Sequence, residues 1–364
     1  MKQPGAVLTP GDKFPDFALP DAAGVTRRFY NEVTGRPAVL LVVSALSDPE
    51  QAAALASVLA AAAAIAEAGG ELFVIGAEPA PAIAKRVGDA ALAFFDVQRA
   101  ILPDLLAPMP AVLPEVEPFR PKHCTYVLDP NQRVLTVIRR VAPGNHGVQA
   151  LAAVRAWGAV PVARQVLRQS APVLILPDVL EPALCERLIT LWREGGHQEG
   201  SVSDGRQNVY APDTKKNLEH LIKDPELSQH ISLTLARRIG PELAKVFNYG
   251  EAFRFEGHIV LSYEDHRQDF FGLHRDNLRV DSPRRFAAST NLNDGYEGGE
   301  LVFPEYGPHG FRPPAGGTCI FSCNLLHEAR PVTRGQRFVM TSFFCAADKP
   351  LAQFPADRRR QMQV

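Results

Sequence analysis

His274 and Asp276 stand one residue apart in Leu273-His274-Arg275-Asp276, and a second histidine, His327, follows after fifty intervening residues. Two imidazoles and one carboxylate on one face of a metal ion leave three coordination positions open, a donor set suited to mononuclear Fe(II) and oxygen chemistry. Ten positions past His327, Arg337 offers a planar, permanently charged fork that fits a carboxylate. Together the four residues suggest an iron site that takes O2 and an acidic cosubstrate, 2-oxoglutarate.

This reading requires Leu273 to Asp276 to be extended. On a strand His274 and Asp276 project to the same side, whereas on a helix they would diverge by about 200°. Phe270-Phe271-Gly272 before the pair and Pro283 after it favour the extended form. The wider surroundings agree, because after Phe253 the chain turns to short β segments punctuated by glycine and proline, the pattern of a sandwich or barrel.

Helices lead into that region. Leu180-Glu181-Pro182 opens one in which Leu184, Leu188 and Leu191 recur at helical spacing, and a second is expected over Leu227 to Val246. The first half alternates strand and helix signals. Ala38 to Val43 and Glu71 to Gly76 are apolar strands, and Ser47-Asp48-Pro49-Glu50 starts a helix that runs to Gly69-Gly70. Thr125 to Pro130 and Arg133 to Ile138 form a hairpin across Asn131-Gln132, and Val148 to Trp157 is a closing helix. At 364 residues two domains are the default expectation. They are expected at 1–160, an α/β sheet domain, and 168–350, a β domain with supporting helices.

The first half resembles the peroxiredoxin branch of the thioredoxin fold, through Gly11-Asp12-Lys13-Phe14-Pro15-Asp16-Phe17, the strand Ala38 to Val43, Phe94-Phe95-Asp96 and Thr125 to Pro130. Peroxiredoxins attack peroxide with a thiolate in the first turn of the helix after that strand. Here Ser44 to Ala53 holds no cysteine, and none precedes Cys124. Without the nucleophile, this domain is expected to be redox-inactive, serving docking, dimerisation or substrate presentation. Cys124 itself reads as a small buried hydrophobe.

The second half is similar to the prolyl 4-hydroxylase-like Fe(II)- and 2-oxoglutarate-dependent dioxygenases over about residues 171 to 348. The ordered series that carries the likeness is Val260 to Tyr263, His274-x-Asp276, Thr290 to Asn293, Gly298-Gly299-Glu300, Pro314 to Gly317, His327 and Gly335-Gln336-Arg337. The resemblance implies a double-stranded β-helix, or jelly roll, with His274, Asp276 and His327 as catalytic iron ligands. It implies Arg337 as the partner of the distal carboxylate of 2-oxoglutarate, and Tyr263 and Thr290 as further cosubstrate contacts. It also implies release of succinate and CO2, with ascorbate as reductant. Asp276 speaks for hydroxylation, since halogenating relatives replace this carboxylate with a small residue.

Prolyl or other amino-acid residues and amino-acid-like small molecules are the substrates this suggests. A second reading is a 2-oxoglutarate- or oxygen-sensing protein that keeps the metal site without fast turnover. A third, a thiol peroxidase, conflicts with the missing cysteine.

Other residues have plainer readings. His258 and His266 are expected in surface or hydrogen-bonded core roles, and Cys319 and Cys323 in core packing beside Phe321. Arg279, Arg284 and Arg285, with the polar loop Arg206 to Lys216, lie where a segment could close over substrate. Several arginines at the mouth would suit an anionic substrate.

A formal charge of −1 gives no global attraction to nucleic acid or to an anionic membrane. The longest apolar run, Ala52 to Ala66, is mostly alanine and too weak for a membrane span. Five scattered cysteines fit free thiols, and the first residues lack the apolar core of a signal peptide, so a cytoplasmic protein is expected.

Overall fold

Ala38–Val43 is the central strand of a five-stranded sheet ordered Leu92–Phe95, Glu71–Gly76, Ala38–Val43, His123–Leu128, Val134–Ile138. The first three strands are parallel and the last two antiparallel. The computed structural model describes residues 7–77, 80–108, 121–159, 166, 168–203, 208–277 and 282–349. The chain divides into two compact units, Met1–Arg164 and Gln165–Val364.

The central strand is apolar throughout because both faces are covered. Val39, Leu41 and Val43 pack beneath helices with Leu55, Val58 and Val154, while Leu40 and Val42 pack with Phe14, Phe29, Phe73 and Phe94. This is a thioredoxin-like α/β fold. The helix expected after Ser47 begins at Pro49, with the Asp48 side chain accepting from the Glu50 N–H. It is divided at Ala61, whose N–H bonds back to Val58, so the alanine run forms Pro49–Ala60 and Ala62–Glu67 rather than one helix. Where the resemblance would place a thiolate, the buried Gln51 side chain accepts the N–H groups of Ser44 and Ala45 at 2.6 and 3.0 Å. Cys124 is buried in its strand, and burial pushes its thiol up to about 12.

The second unit is a jelly roll of two antiparallel sheets. The larger runs Leu174–Leu176, Thr318–Ser322, Arg284–Asn291, Gln336–Ala346, Phe253–Glu264, Leu218–Leu221, Gln198–Glu199. The smaller runs Lys215–Lys216, Phe270–His274, His327–Ala329, Leu301–Val302, Gly310–Phe311. The expected helices are Pro182–Glu194 and Pro225–Phe247, the latter starting two residues early because Asp224 caps it at the N–H groups of Glu226 and Leu227.

Strand alternation assigns the larger sheet two different faces. Val260, Ala288, Ile320, Phe338, Met340 and Phe344 meet Leu188, Ile231, Leu235 and Ile239 of the two helices. The opposite face, with Leu261, Tyr263, Ala287, Cys319, Phe321 and Val339, turns toward the smaller sheet and its Phe271, Leu301 and Ala329. Tyr263 and Arg337 lie on this inner face, and His274 and His327 lie on strands of the smaller sheet. No described helix is long and apolar enough to cross a membrane.

Candidate metal and cosubstrate site

His274 ends its strand directly opposite His327, the two being cross-strand partners in the smaller sheet. Both rings are held alike. His274 Nδ1 lies 2.8 Å from the Gly272 carbonyl and His327 Nδ1 3.0 Å from that of Leu325. A carbonyl can only accept, so each Nδ1 donates, and in the neutral imidazole each Nε2 then keeps its lone pair. Those lone pairs meet the carboxylate of Asp276, two residues beyond the strand's end, at 3.7 Å from His274 and 3.8 Å from His327. The three donor atoms lie within 4.8 Å of one another.

The surroundings leave this cluster in need of a cation. Asp276 Oδ2 is buried without a hydrogen-bond partner among the described residues, an expensive condition for a carboxylate. Burial raises its pKa, opposed first by His327 and then by Arg284. Burial, with His327 next, drives His274 down to about 3, so the imidazole stays neutral and able to ligate. Phe271 stacks on His274 with ring centroids 3.5 Å apart, and Phe303 and Phe321 flank His327. The donor set, its tautomers and the orphaned carboxylate oxygen fit a divalent iron.

Arg337 and Tyr263 are cross-strand partners on the inner face of the larger sheet. The Arg337 guanidinium is 3% exposed and forms no ion pair with a carboxylate among the described residues. Its Nε and one terminal nitrogen donate to Asn291 Oδ1 at 3.3 and 3.1 Å, and it lies 5.5 Å from the Tyr263 ring centre. Asn291 is fixed in turn by donating to the Tyr296 hydroxyl and the Pro313 carbonyl. Burial raises the Tyr263 phenol, which stays protonated as a donor. Gly299, in the Gly298-Gly299-Glu300 series, has a φ of +67°, and a Cβ there would come within 2.9 Å of Arg337 Cδ.

A cavity of about 110 Å³ joins these groups, lined by Arg337, Tyr263 and Ser289 together with His274, Asp276 and His327. A larger one of about 280 Å³ adjoins the same His274 and Asp276, with Phe271, Phe343, Ile259, Thr341 and the charged residues Lys215, Glu219, Glu256 and Arg284.

Thr290 is not brought to either cavity. It lies on the helix-covered face, one position out of phase, with its hydroxyl bonded to Thr318 Oγ1 at 2.8 Å. Its neighbours Ser289 and Asn291 face inward, because successive residues of a strand alternate. Nor do the described arginines form a free cationic mouth. Arg284 makes a two-point pair with Glu256 at 2.6 and 2.9 Å, and Arg275 pairs with Glu305. Arg285 donates to the Ser282 carbonyl. Arg279 and Arg206 lie outside the described residues.

His258 is a core residue between the hydroxyls of Ser232 and Ser342, and His266 is exposed beside Glu264 and Asp265. Cys319 and Cys323 pack with Phe321, where burial raises both thiols. Sequence reasoning missed Lys215, Glu219 and Glu256 as cavity residues, and Asn291 as the partner of Arg337. Asn291 could have been found from alternation once the strand's phase was set. Lys215 lay within a loop identified only as a whole.

The jelly roll and its donor set define the class, an Fe(II)- and 2-oxoglutarate-dependent oxygenase. No family model matches the chain. A PKHD-type hydroxylase of Xanthomonas campestris pv. campestris (strain 8004) is 33% identical over 184 residues, covering 47% of this chain and 77% of that protein. Another, from Verminephrobacter eiseniae, is 31% identical over 188 residues, covering 47% and 77%. The chain belongs to the PKHD-type hydroxylases, and Fe(II), 2-oxoglutarate and O2 are its cofactor and cosubstrates.

Solved structures similar to parts of the chain include a prolyl-4-hydroxylase of Pseudomonas putida, at 20% identity, 49% of this chain, 94% of that one and a TM-score of 0.39. A second is the peroxidoxin BcpB of Mycobacterium tuberculosis, at 25% identity, 41% and 97% coverage and a TM-score of 0.35.

Proposed function

We propose that His274, Asp276 and His327 hold the iron, that Arg337 and Tyr263 receive the distal carboxylate of 2-oxoglutarate in the smaller cavity, and that substrate occupies the larger one. The observation that carries this is the buried Arg337 guanidinium, without a carboxylate partner among the described residues, in the same cavity as the three donors. A fixed charge in so dry a place calls for an anion.

Bound iron supplies the redox chemistry by which O2 oxidises the 2-oxo acid to succinate and CO2 and hydroxylates an unactivated C–H bond. The chain prepares for it. The Gly272 and Leu325 carbonyls orient the imidazoles, and Asp276 offsets cationic charge. Asn291 holds the Arg337 fork, Phe271 stacks on His274, and Phe303 and Phe321 flank His327.

In the larger cavity Lys215 is paired with Glu219 and Arg284 with Glu256, beside Phe271 and Phe343. Internally neutralised walls favour an uncharged reacting group, such as a prolyl or other aliphatic residue or the side chain of an amino-acid-like small molecule. An anionic group would have to displace an existing carboxylate. Ascorbate is proposed as the reductant that maintains Fe(II).

The test is Fe(II)-dependent conversion of 2-oxoglutarate to succinate by the whole chain. We expect His274→Ala to abolish it, and persistence in that variant would sink the assignment.

A further inference from the structure

We propose that Lys215 is a positioning residue for the metal site, its ammonium holding the Phe271 ring against the His274 imidazole. The inference rests on the reading of His274 as a metal donor.

Lys215 and Phe271 are cross-strand partners at the edge of the smaller sheet. The Lys215 ammonium lies over the Phe271 ring, 4.6 Å from its centre, and the His274 imidazole stacks on that ring at 3.5 Å with planes 14° apart. A cation over an aromatic face is attracted by the ring's quadrupole. The ammonium cannot wander, because it is bonded to Glu219 and to the Ser201 carbonyl and is almost wholly buried.

The His274 ring is thus restrained twice. Gly272 fixes its tautomer and tilt through Nδ1, and Phe271 fixes the plane in which it can swing. His327 has Phe303 and Phe321 for the second task, both buried in the apolar cluster between the sheets. Phe271 packs against that cluster but is only half-buried and lies at the cavity, where the Lys215 ammonium over its ring adds a restraint.

That restraint comes from a segment that also faces substrate. Ser201, Val202 and Thr214 line the larger cavity beside Lys215, and the Gly272 N–H bonds to the Thr214 carbonyl at 2.8 Å. A substrate that shifts this segment therefore acts on the orientation of the first histidine through Lys215 and Phe271. An apolar residue in place of Lys215 could fill the volume but would remove the Lys215–Glu219 pair and the cation over the Phe271 ring.

The experiment is an anaerobic titration of the full-length protein with Fe(II) in the presence of 2-oxoglutarate, followed by the visible absorbance of the metal–2-oxo acid chelate. Partners that orient a metal-ligating histidine typically change metal affinity by about 10- to 100-fold when removed. Lys215→Met is expected to weaken binding by about tenfold and to shift the band, with Lys215→Arg, which keeps a cation over the ring, recovering most of both. Phe271→Leu, which leaves the Lys215–Glu219 pair intact, is expected to weaken binding similarly, and it carries the test should Lys215→Met fail to fold. Affinity and band unchanged in Phe271→Leu, or in a folded Lys215→Met, would overturn the positioning role. A wild-type protein that shows no chelate band, or a His274→Ala variant that binds like wild type, would instead overturn the metal assignment itself.

Discussion

Replacing Arg337 with alanine removes a guanidinium that is 3% exposed and whose only described hydrogen-bond partner is the amide oxygen of Asn291. If its unused donors receive the distal carboxylate of 2-oxoglutarate, the variant loses a desolvated, charge-assisted contact. Truncating one member of such a pair costs about 2–5 kcal/mol. The Tyr263 hydroxyl remains available in the same cavity, so the middle of that range, about 3 kcal/mol, is the appropriate expectation. This corresponds to a rise of roughly 100-fold in the 2-oxoglutarate dissociation constant. Metal binding without cosubstrate should be unaffected, because Arg337 touches none of the three donors. Arg337→Lys should fall between, keeping the charge but not the fork. The assay is an anaerobic cosubstrate titration of the iron-loaded protein, paired with KM for 2-oxoglutarate in succinate formation. Both constants unchanged in Arg337→Ala would refute the role given to this residue, and a parallel loss of iron affinity would show that the effect is not confined to the cosubstrate.

Gly299→Ala should raise KM for 2-oxoglutarate with little change in iron affinity, since the added carbon presses on Arg337 Cδ and Val332; an unaltered KM would contradict the close approach. His258, fully buried between Ser232 and Ser342, is pushed down to about 4, chiefly by burial. The unfolded chain then binds a proton the native chain refuses. Its contribution is therefore full above about pH 6.5 and is lost as pH falls toward 4, roughly 3 kcal/mol in all. Chemical denaturation between pH 7.5 and 4.5 should show a shallower decline in His258→Asn than in wild type, and equal slopes would contradict this. All five cysteines are free and buried, so a thiol reagent should label none in the native protein and five in denaturant, and peroxide should not be consumed with a thiol reductant. Rapid labelling of Cys124 in the native protein would argue for a redox function in the first unit.

The histidines, Asp276 and Arg337 could be singled out from sequence because their types are rarely interchangeable at a metal or carboxylate site and their spacing suits adjacent strands. Thr290, taken from the family resemblance alone, falls one residue out of phase with the cavity. A slip of one residue moves a side chain to the opposite face, and nothing local distinguishes Thr290 from Ser289 until the pairing with Gln336–Ala346 is known. The two ion pairs of the larger cavity illustrate a different limit. Glu256 and Arg284 are 28 residues apart and meet because their strands both pair with Gln336–Ala346. The arginine therefore looked like a free cation when it is already neutralised. In the first unit, Ala38–Val43 could be recognised as buried on both faces from its unbroken apolar run, whereas the division of the alanine-rich helix at Ala61 has no local signal, every residue from Ala60 to Ala64 being alanine.

The most direct test of the central claim is a crystal grown without oxygen in the presence of Fe(II) and an inert 2-oxo acid analogue, with anomalous data collected on either side of the iron edge. A single iron peak bounded by His274 Nε2, Asp276 and His327 Nε2, with the analogue's distal carboxylate on Arg337, is the predicted result. An iron peak elsewhere, or the analogue seated away from Arg337, would contradict the account.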